Sequence, residues 1–316
     1  MHKAFGYVRV VTATPPVRIG EPDANVQALL ELAAGVRGQR PDLVVFPELC
    51  LTGYTCGDLF FQDALLREAE EALAAFARGT RDEATLFLVG LPVRAQSAIY
   101  NCACLVQGGR LLGLVPKTHL PNHGEYYERR WFASGAGVAG GRVRLCGQEV
   151  AFGTDLLFEA SGIAEFAVGV EVCEDLWAPA APSGRLALAG ATVLANLSAS
   201  DELVGKAEYR RQLVAQQSGR CLAAYVYCSA GTDESTTDMV CGGHQLVAEN
   251  GVILHESERF ARAATVGVAD IDVSFLAHER ARNSSFREAA AEAARAPSAV
   301  RRVAFEATTT EATPSS

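Results

Sequence analysis

Gly169-Val-Glu-Val-Cys-Glu-Asp-Leu-Trp177 is an apolar run that stops on a cysteine and continues with two carboxylates and a tryptophan. Glu165 to Val172 reads as a buried strand, because short apolar runs rich in β-branched residues suit a sheet covered on both faces. A nucleophile at the end of a strand, in a sharp turn, presents its side chain above the sheet edge. Ligands of open α/β sheets favour that carboxyl edge. Cys173 is therefore a candidate nucleophile. The alternative is a buried structural thiol, since free cysteine behaves as a small hydrophobe.

Two other charged residues stand at equivalent places. Asp42-Leu-Val-Val-Phe46 is a second buried strand, and Pro47-Glu48 ends it. Arg110 to Pro116 is a third strand, followed by Lys117. Alone, Glu48 could be a helix-start charge and Lys117 a solvated lysine. Together with Cys173 they give a thiol, a base and a cation on one sheet edge, the set that amide hydrolysis by covalent catalysis needs. Partial burial would raise the pKa of Glu48 and suit it to proton transfer. A lysine in a dry pocket stabilises an oxyanion.

The rest of the chain alternates strands and helices. Phe5–Thr12, Thr85–Leu91, Ala191–Leu197, Cys221–Cys228 and Ala264–Ile271 read as strands. Asn25–Gly38, Asp63–Arg78 and Gly205–Arg220 read as helices. Ala98–Gln107 and Arg110–Pro116 form a hairpin over Gly108-Gly109, and Val240–His255 forms another around Glu249-Asn-Gly251. This is an α/β pattern, expected as one domain over residues 1–275. Residues 276–316 change character: Ala277–Arg301 is rich in Ala, Arg and Glu, and Glu306–Ser316 is polar and of low complexity. A disordered tail or a linker is expected there.

With 49% apolar and 21% charged residues, the 316-residue chain has the balance of a globular protein. Its net charge of −9 argues against a nucleic-acid footprint, which shows as a basic surplus. Nine cysteines, several inside apolar runs, fit a reducing cytoplasm better than a disulfide scaffold. No zinc spacing, signal peptide or membrane-spanning run is read, so no metal and no membrane partner are expected.

Three blocks then carry a resemblance. Phe46-Pro-Glu48 with Leu51-Thr-Gly-Tyr54, Lys117-Thr-His-Leu-Pro121, and Glu171-Val-Cys-Glu-Asp175 resemble, in order, the signature blocks of the nitrilase (carbon-nitrogen hydrolase) superfamily. Further stretches narrow it. Asp58-Leu-Phe, Glu125-Tyr-Tyr-Glu-Arg-Arg-Trp-Phe132, Asn196-Leu-Ser-Ala-Ser200, Gly205-Lys-Ala-Glu-Tyr-Arg210 and Ala224-Tyr-Val-Tyr227 are similar to the glutaminase domain of glutamine-dependent NAD synthetase.

The resemblance implies a four-layer α-β-β-α sandwich, usually assembled as a homo-oligomer. It implies that Cys173 attacks the side-chain amide of L-glutamine, that Glu48 moves the proton, that Lys117 and the backbone N–H after Cys173 hold the oxyanion, and that Glu125 is a second glutamate supporting the triad. Tyr54, His123, Glu174, Trp177, Ser200 and Lys206 are the implied substrate contacts. Position 123 is more often tyrosine in relatives. No metal or cofactor is implied for this half-reaction. ATP and Mg would belong to a synthetase domain, a C-terminal or separate partner whose Ser-Gly-Gly-x-Asp-Ser loop has only a poor likeness in Ser229-Ala-Gly-Thr-Asp233-Glu-Ser235. Another C–N hydrolase, such as an ω-amidase or carbamoylase, and a non-catalytic assembly module are the competing readings.

Overall fold

Leu43–Val45, the strand before Glu48, is buried on both faces. Leu43 and Val45 point into one apolar cluster and Val44 into another. Alternate side chains leave a strand on opposite faces, so a strand with apolar material on both sides must be apolar throughout. This three-residue strand thus lies inside a layered protein.

The computed structural model describes residues 6–295 and 300–307. In chain order the elements begin with β1 (Tyr7–Thr14), α1 (Pro22–Val36), β2 (Leu43–Val45), α2 (Asp63–Gly79), β3 (Leu86–Ala95), β4 (Ala98–Gln107) and β5 (Arg110–Pro116). Next come β6 (Gly141–Leu145), β7 (Gln148–Phe152), β8 (Leu156–Ser161), β9 (Ala167–Val172), α3 (Pro182–Leu188), β10 (Val193–Ser198), α4 (Lys206–Cys221) and β11 (Ala224–Ser229). The chain continues through β12 (Gln245–Glu249), β13 (Val252–Glu256), β14 (Thr265–Asp272), α5 (Val273–Arg282), α6 (Ser284–Ala293) and β15 (Arg301–Glu306).

The strands form two sheets, ordered β14-β1-β2-β3-β4-β5-β7-β6 and β13-β12-β11-β10-β9-β8-β15. Val10, Val45, Leu88 and Leu105 of the first meet Val170, Val172, Ala195 and Val226 of the second in one buried cluster. Fully burying each Val or Leu contributes about 1.5–3 kcal/mol over leaving it exposed. Outside the first sheet, Val26 and Leu29 of α1 and Leu73 and Phe76 of α2 pack on Val44, Phe87 and Val89. Outside the second, Leu186 of α3 and Val214 of α4 pack on Leu194 and Tyr225. The result is the four-layer α-β-β-α sandwich. Among the described residues no helix is long and apolar enough to cross a membrane, and all nine cysteines are free thiols.

The expected tail from residue 276 needs correction. The boundary at 275 falls inside α5, and β15 adds to the second sheet in parallel with β8. Two caps start the helices: Asp272 Oδ1 accepts from Phe275 N at 2.8 Å, and Asn283 Oδ1 from Phe286 N at 2.9 Å. Phe305 of β15 is buried, edge-on to Phe166 at 5.3 Å. The low-complexity stretch expected at the end falls mostly in residues 308–316, outside those described.

Candidate active site

Glu48 stands just past the end of β2, and one glycine lets it sit there. A Cβ on Gly90 of β3 would lie 2.4 Å from Leu49 N and 2.6 Å from Pro47 O, so only glycine lets the two backbones approach this closely. Leu49 takes a left-handed φ of 50°, a conformation that costs a non-glycine residue energy and that the surroundings must enforce. The Glu48 N–H reaches across to the other sheet and donates to Ser198 O at 3.3 Å. Its carboxylate Oε1 accepts from Lys117 Nζ at 2.7 Å and Asn101 Nδ2 at 2.6 Å. Oε2 is buried without a hydrogen-bond partner, leaving one basic oxygen unengaged.

Lys117 follows β5 and is wholly buried. Its N–H donates to Asn101 O at 2.8 Å, so Asn101 positions both Glu48 and Lys117. A Cβ at Gly135 would meet Lys117 O at 2.9 Å, which presses that turn onto the lysine. The ammonium donates to Glu48 and, at 2.6 Å, to Glu128 Oε1. Burial works against the charge, but Glu128 and Glu48 outweigh it and hold the ammonium well above its ordinary pKa.

The second carboxylate on Lys117 is that of Glu128, where the expectation named Glu125. Glu128 opens a 3-10 turn (Glu128–Arg130), is fully buried, and also accepts from the Tyr54 hydroxyl at 2.7 Å. Burial raises its pKa, Lys117 opposes and Glu48 adds to the rise, leaving it at about 7. Glu125 is half-buried and lies beside Asp201. A glutamate one turn further along the loop carries its carboxylate to the lysine; the sequence block holds both, and nothing in its pattern ranks them.

Cys173 begins a 3-10 turn (Cys173–Leu176) directly after β9, with φ of 45°. Its N–H donates to Asn196 Oδ1 at 3.1 Å, and the Asn196 amide is braced by Ser198 Oγ at 2.7 Å and Tyr225 OH at 3.1 Å. Burial, then the nearby Glu48 carboxylate, push the thiol pKa up, with Lys117 pulling the other way. The thiol is thus protonated at neutral pH and needs a base to become nucleophilic. Asp175 ties this turn to the lysine loop: it accepts from Val172 N at 3.0 Å, His119 N at 2.7 Å and Thr118 N at 3.1 Å. Burial and then Glu171 raise its pKa to about 8.

Among the described residues, three of those expected to bind substrate share one cavity. His123, Glu174 and Trp177 line a cavity of about 580 Å³ with Thr118 and His119. Tyr54 and Glu125 line a smaller one of about 140 Å³. Lys206 lies between the rings of Trp177 and Tyr126, at 5.2 and 5.7 Å from their centroids, and pairs with Asp201. Ser200 is buried, and its Oγ accepts from Arg210 Nη2 at 3.4 Å. Arg210, also fully buried, donates to Asp201 O at 2.9 Å, Glu202 Oε1 at 2.7 Å and His244 Nδ1 at 3.0 Å.

Glu128, Asp175, Asn101, Asn196 and Glu234 escaped the sequence reading. Glu234 falls in the stretch with the poor phosphate-loop likeness. Its buried carboxylate instead accepts from Tyr54 N at 2.7 Å and Thr55 N at 3.1 Å, fixing the tyrosine that binds Glu128. For Glu128 and Asp175 the available signal was a second charged residue inside a quoted block; Asn101 and Asn196 carry no charge, and Asn101 and Glu234 lie outside those blocks.

The carbon-nitrogen hydrolase family profile matches residues 7–280, and the chain belongs to that family. A glutamine-dependent NAD(+) synthetase of Mycobacterium tuberculosis is 47% identical over 281 residues, covering 89% of this chain and 41% of that protein. The crystal structure of a glutamine-dependent NAD(+) synthetase from Cytophaga hutchinsonii aligns with a TM-score of 0.74 at 29% identity, covering 84% of this chain and 43% of that one. Saccharomyces cerevisiae Nit3, of the nitrilase superfamily, shares the fold at TM-score 0.67 and 17% identity over 88% of this chain and 95% of its own. The chain thus spans about two fifths of the length of the synthetases it matches.

Proposed function

We propose that the chain is a glutamine amidohydrolase whose ammonia serves NAD synthesis, the glutaminase part of a glutamine-dependent NAD synthetase. One observation carries the chemistry: beside the Cys173 turn, Lys117 is clasped by two buried glutamates, and Glu48 keeps one oxygen free. Glu48 Oε2 takes the thiol proton as Sγ attacks the amide carbon of glutamine. The carbonyl oxygen becomes an oxyanion beside Lys117 and the N–H after Cys173. Collapse expels the amine, which leaves as ammonia with the proton from Glu48, and a γ-glutamyl thioester remains. Water, deprotonated by Glu48, cleaves the thioester to glutamate and restores the thiol. Nothing in this half-reaction calls for a metal or organic cofactor; ATP and magnesium would serve the synthetase part.

The reading extends to a cytoplasmic homo-oligomer that delivers ammonia to a synthetase domain. The identity to synthetases over their corresponding part supports it against an ω-amidase or carbamoylase. The test is covalent capture by 6-diazo-5-oxo-norleucine, a glutamine mimic. Peptide mapping should find the adduct on Cys173 and none after Cys173→Ala. An adduct on another cysteine, or turnover of a carbamoyl compound in preference to glutamine, would sink the assignment.

A further inference from the structure

Asn196 of β10 binds both sides of the nucleophile's own backbone. Its Oδ1 accepts from Cys173 N at 3.1 Å, and its Nδ2 donates to Cys173 O at 3.4 Å. One side chain therefore spans the N–H and the C=O of a residue whose φ is 45°, a left-handed conformation that a cysteine keeps only where its surroundings enforce it. The clasp works with one orientation of the amide. Turned over, the amide would set its NH2 against the Cys173 N–H and its oxygen against the Cys173 carbonyl.

The group that fixes this orientation lies on the far side of the amide. Nδ2 also donates to Tyr225 OH at 3.1 Å, and Tyr225 OH donates to Glu171 Oε1. A phenol has one proton. Because Glu171 takes it, the Tyr225 oxygen can only accept, and it must face an NH2. Glu171 is held in turn: its Oε2 accepts from Ser183 N, in the first turn of α3, at 2.7 Å. Burial raises the Glu171 pKa, while the Tyr225 hydroxyl and the Ser183 N–H oppose the rise and favour the ionised acceptor. Asn196, Tyr225 and Glu171 are all buried, so a mismatched partner among them is not relieved by solvent.

We infer that Asn196 is a positioning residue for Cys173, and that the Glu171 carboxylate, acting through the Tyr225 hydroxyl, sets the direction in which its amide faces. The inference rests on Cys173 being the nucleophile of the proposed glutaminase. The clasp spends the Cys173 N–H, which leaves the N–H after it for the oxyanion. Glu171→Gln keeps the shape of the chain of bonds and reverses its direction. The Ser183 N–H holds the new amide's oxygen on its own side, so an NH2 faces Tyr225. The tyrosine proton then points at Asn196, whose amide must answer with oxygen and so turns its NH2 on the Cys173 N–H.

Steady-state ammonia release and the rate of Cys173 alkylation by iodoacetamide, read by peptide mapping, test this on the full chain. Glu171→Gln should lower kcat and the alkylation rate about tenfold, the scale of one mismatched buried hydrogen bond, and leave KM for glutamine within about twofold. Tyr225→Phe removes the hydroxyl that relays the direction and should cost less. The double variant should match Tyr225→Phe, a rescue that loss of packing or stability does not produce. Glu171→Gln without effect, or a double variant no faster than Glu171→Gln, overturns the inference. Should Glu171→Gln not fold, Asn196→Ala decides: alkylation slowed about tenfold upholds the clasp, and an unchanged rate overturns it. Slowed alkylation in variants of a chain that releases no ammonia from glutamine upholds the inference and overturns the glutaminase reading. Unaffected alkylation with glutamine turnover intact does the reverse.

Discussion

Glu48 and Glu128 share one counter-ion: both carboxylates bind Lys117 Nζ, at 2.7 and 2.6 Å, in a site from which the surface is excluded. Two buried negative charges on one positive charge is an arrangement that holds only while the lysine is present.

Lys117→Met should therefore abolish turnover and destabilise the fold by about 3–5 kcal/mol, the usual penalty for breaking a buried pair. The deficit should shrink on acidification, because protonation relieves carboxylates that have lost their cation. Denaturant titration at pH 5 and pH 8 checks this. An equal deficit at both would mean that the charges are better solvated than their burial implies.

The two glutamates of the 125–128 block should separate cleanly. Glu128→Gln should lower kcat by about two orders of magnitude or more, the scale of lost proton transfer or charge stabilisation at a reacting centre. Glu125→Gln should keep kcat and raise KM for glutamine. Steady-state ammonia release measures both; the reverse pattern would restore Glu125 to the catalytic group.

Stability should fall as pH rises from about 4 toward 8. Glu128 and Asp175 have folded pKa values near 7 and 8, above those of an unfolded chain. In that window the folded state holds more protons than the unfolded one, so raising pH removes stability. Asp175→Asn should flatten this slope in thermal melts across the range. An unchanged slope would assign it to other groups.

Gly90→Ala should act at a distance from the surface and on one residue. The added Cβ collides with the Pro47–Leu49 backbone, and overpacking of this kind costs about 1–3 kcal/mol. The base should shift with it, so ammonia release should fall while iodoacetamide still alkylates Cys173. Full activity would mean that the turn yields without moving Glu48.

Cys173, Glu48 and Lys117 were legible because each ends an apolar strand, and the strand's burial announces where its carboxyl end lies. Glu128 was not, because the loop from Leu120 to Phe132 has no periodicity; its partner is fixed by a lysine brought there by β5. Strands β6 and β7 bury only Leu145 and then Val150 and Phe152, and β8 buries its first three residues in a row, runs of five or six residues too short for a pattern to stand out. Helix α6 buries no residue fully and reads as polar tail. β15 carries two arginines, one bonding Asp155 and one Glu159, so its charge belongs to pairs that the sequence leaves unspecified.

β15 has one more bearing. The backbone ladder of β8 is completed on its outer side by residues drawn from more than a hundred positions later in the chain, and Gln107 locks Glu306 by its side-chain amide and carbonyl, at 2.7 and 2.8 Å. During synthesis the second sheet must wait, with β8 an unprotected border, until that segment emerges. Shortened versions ending near Arg282 would carry that border permanently, a template for strand addition by neighbouring molecules. Crowded, freshly made protein is then the material most prone to self-association, and β15 is its safeguard.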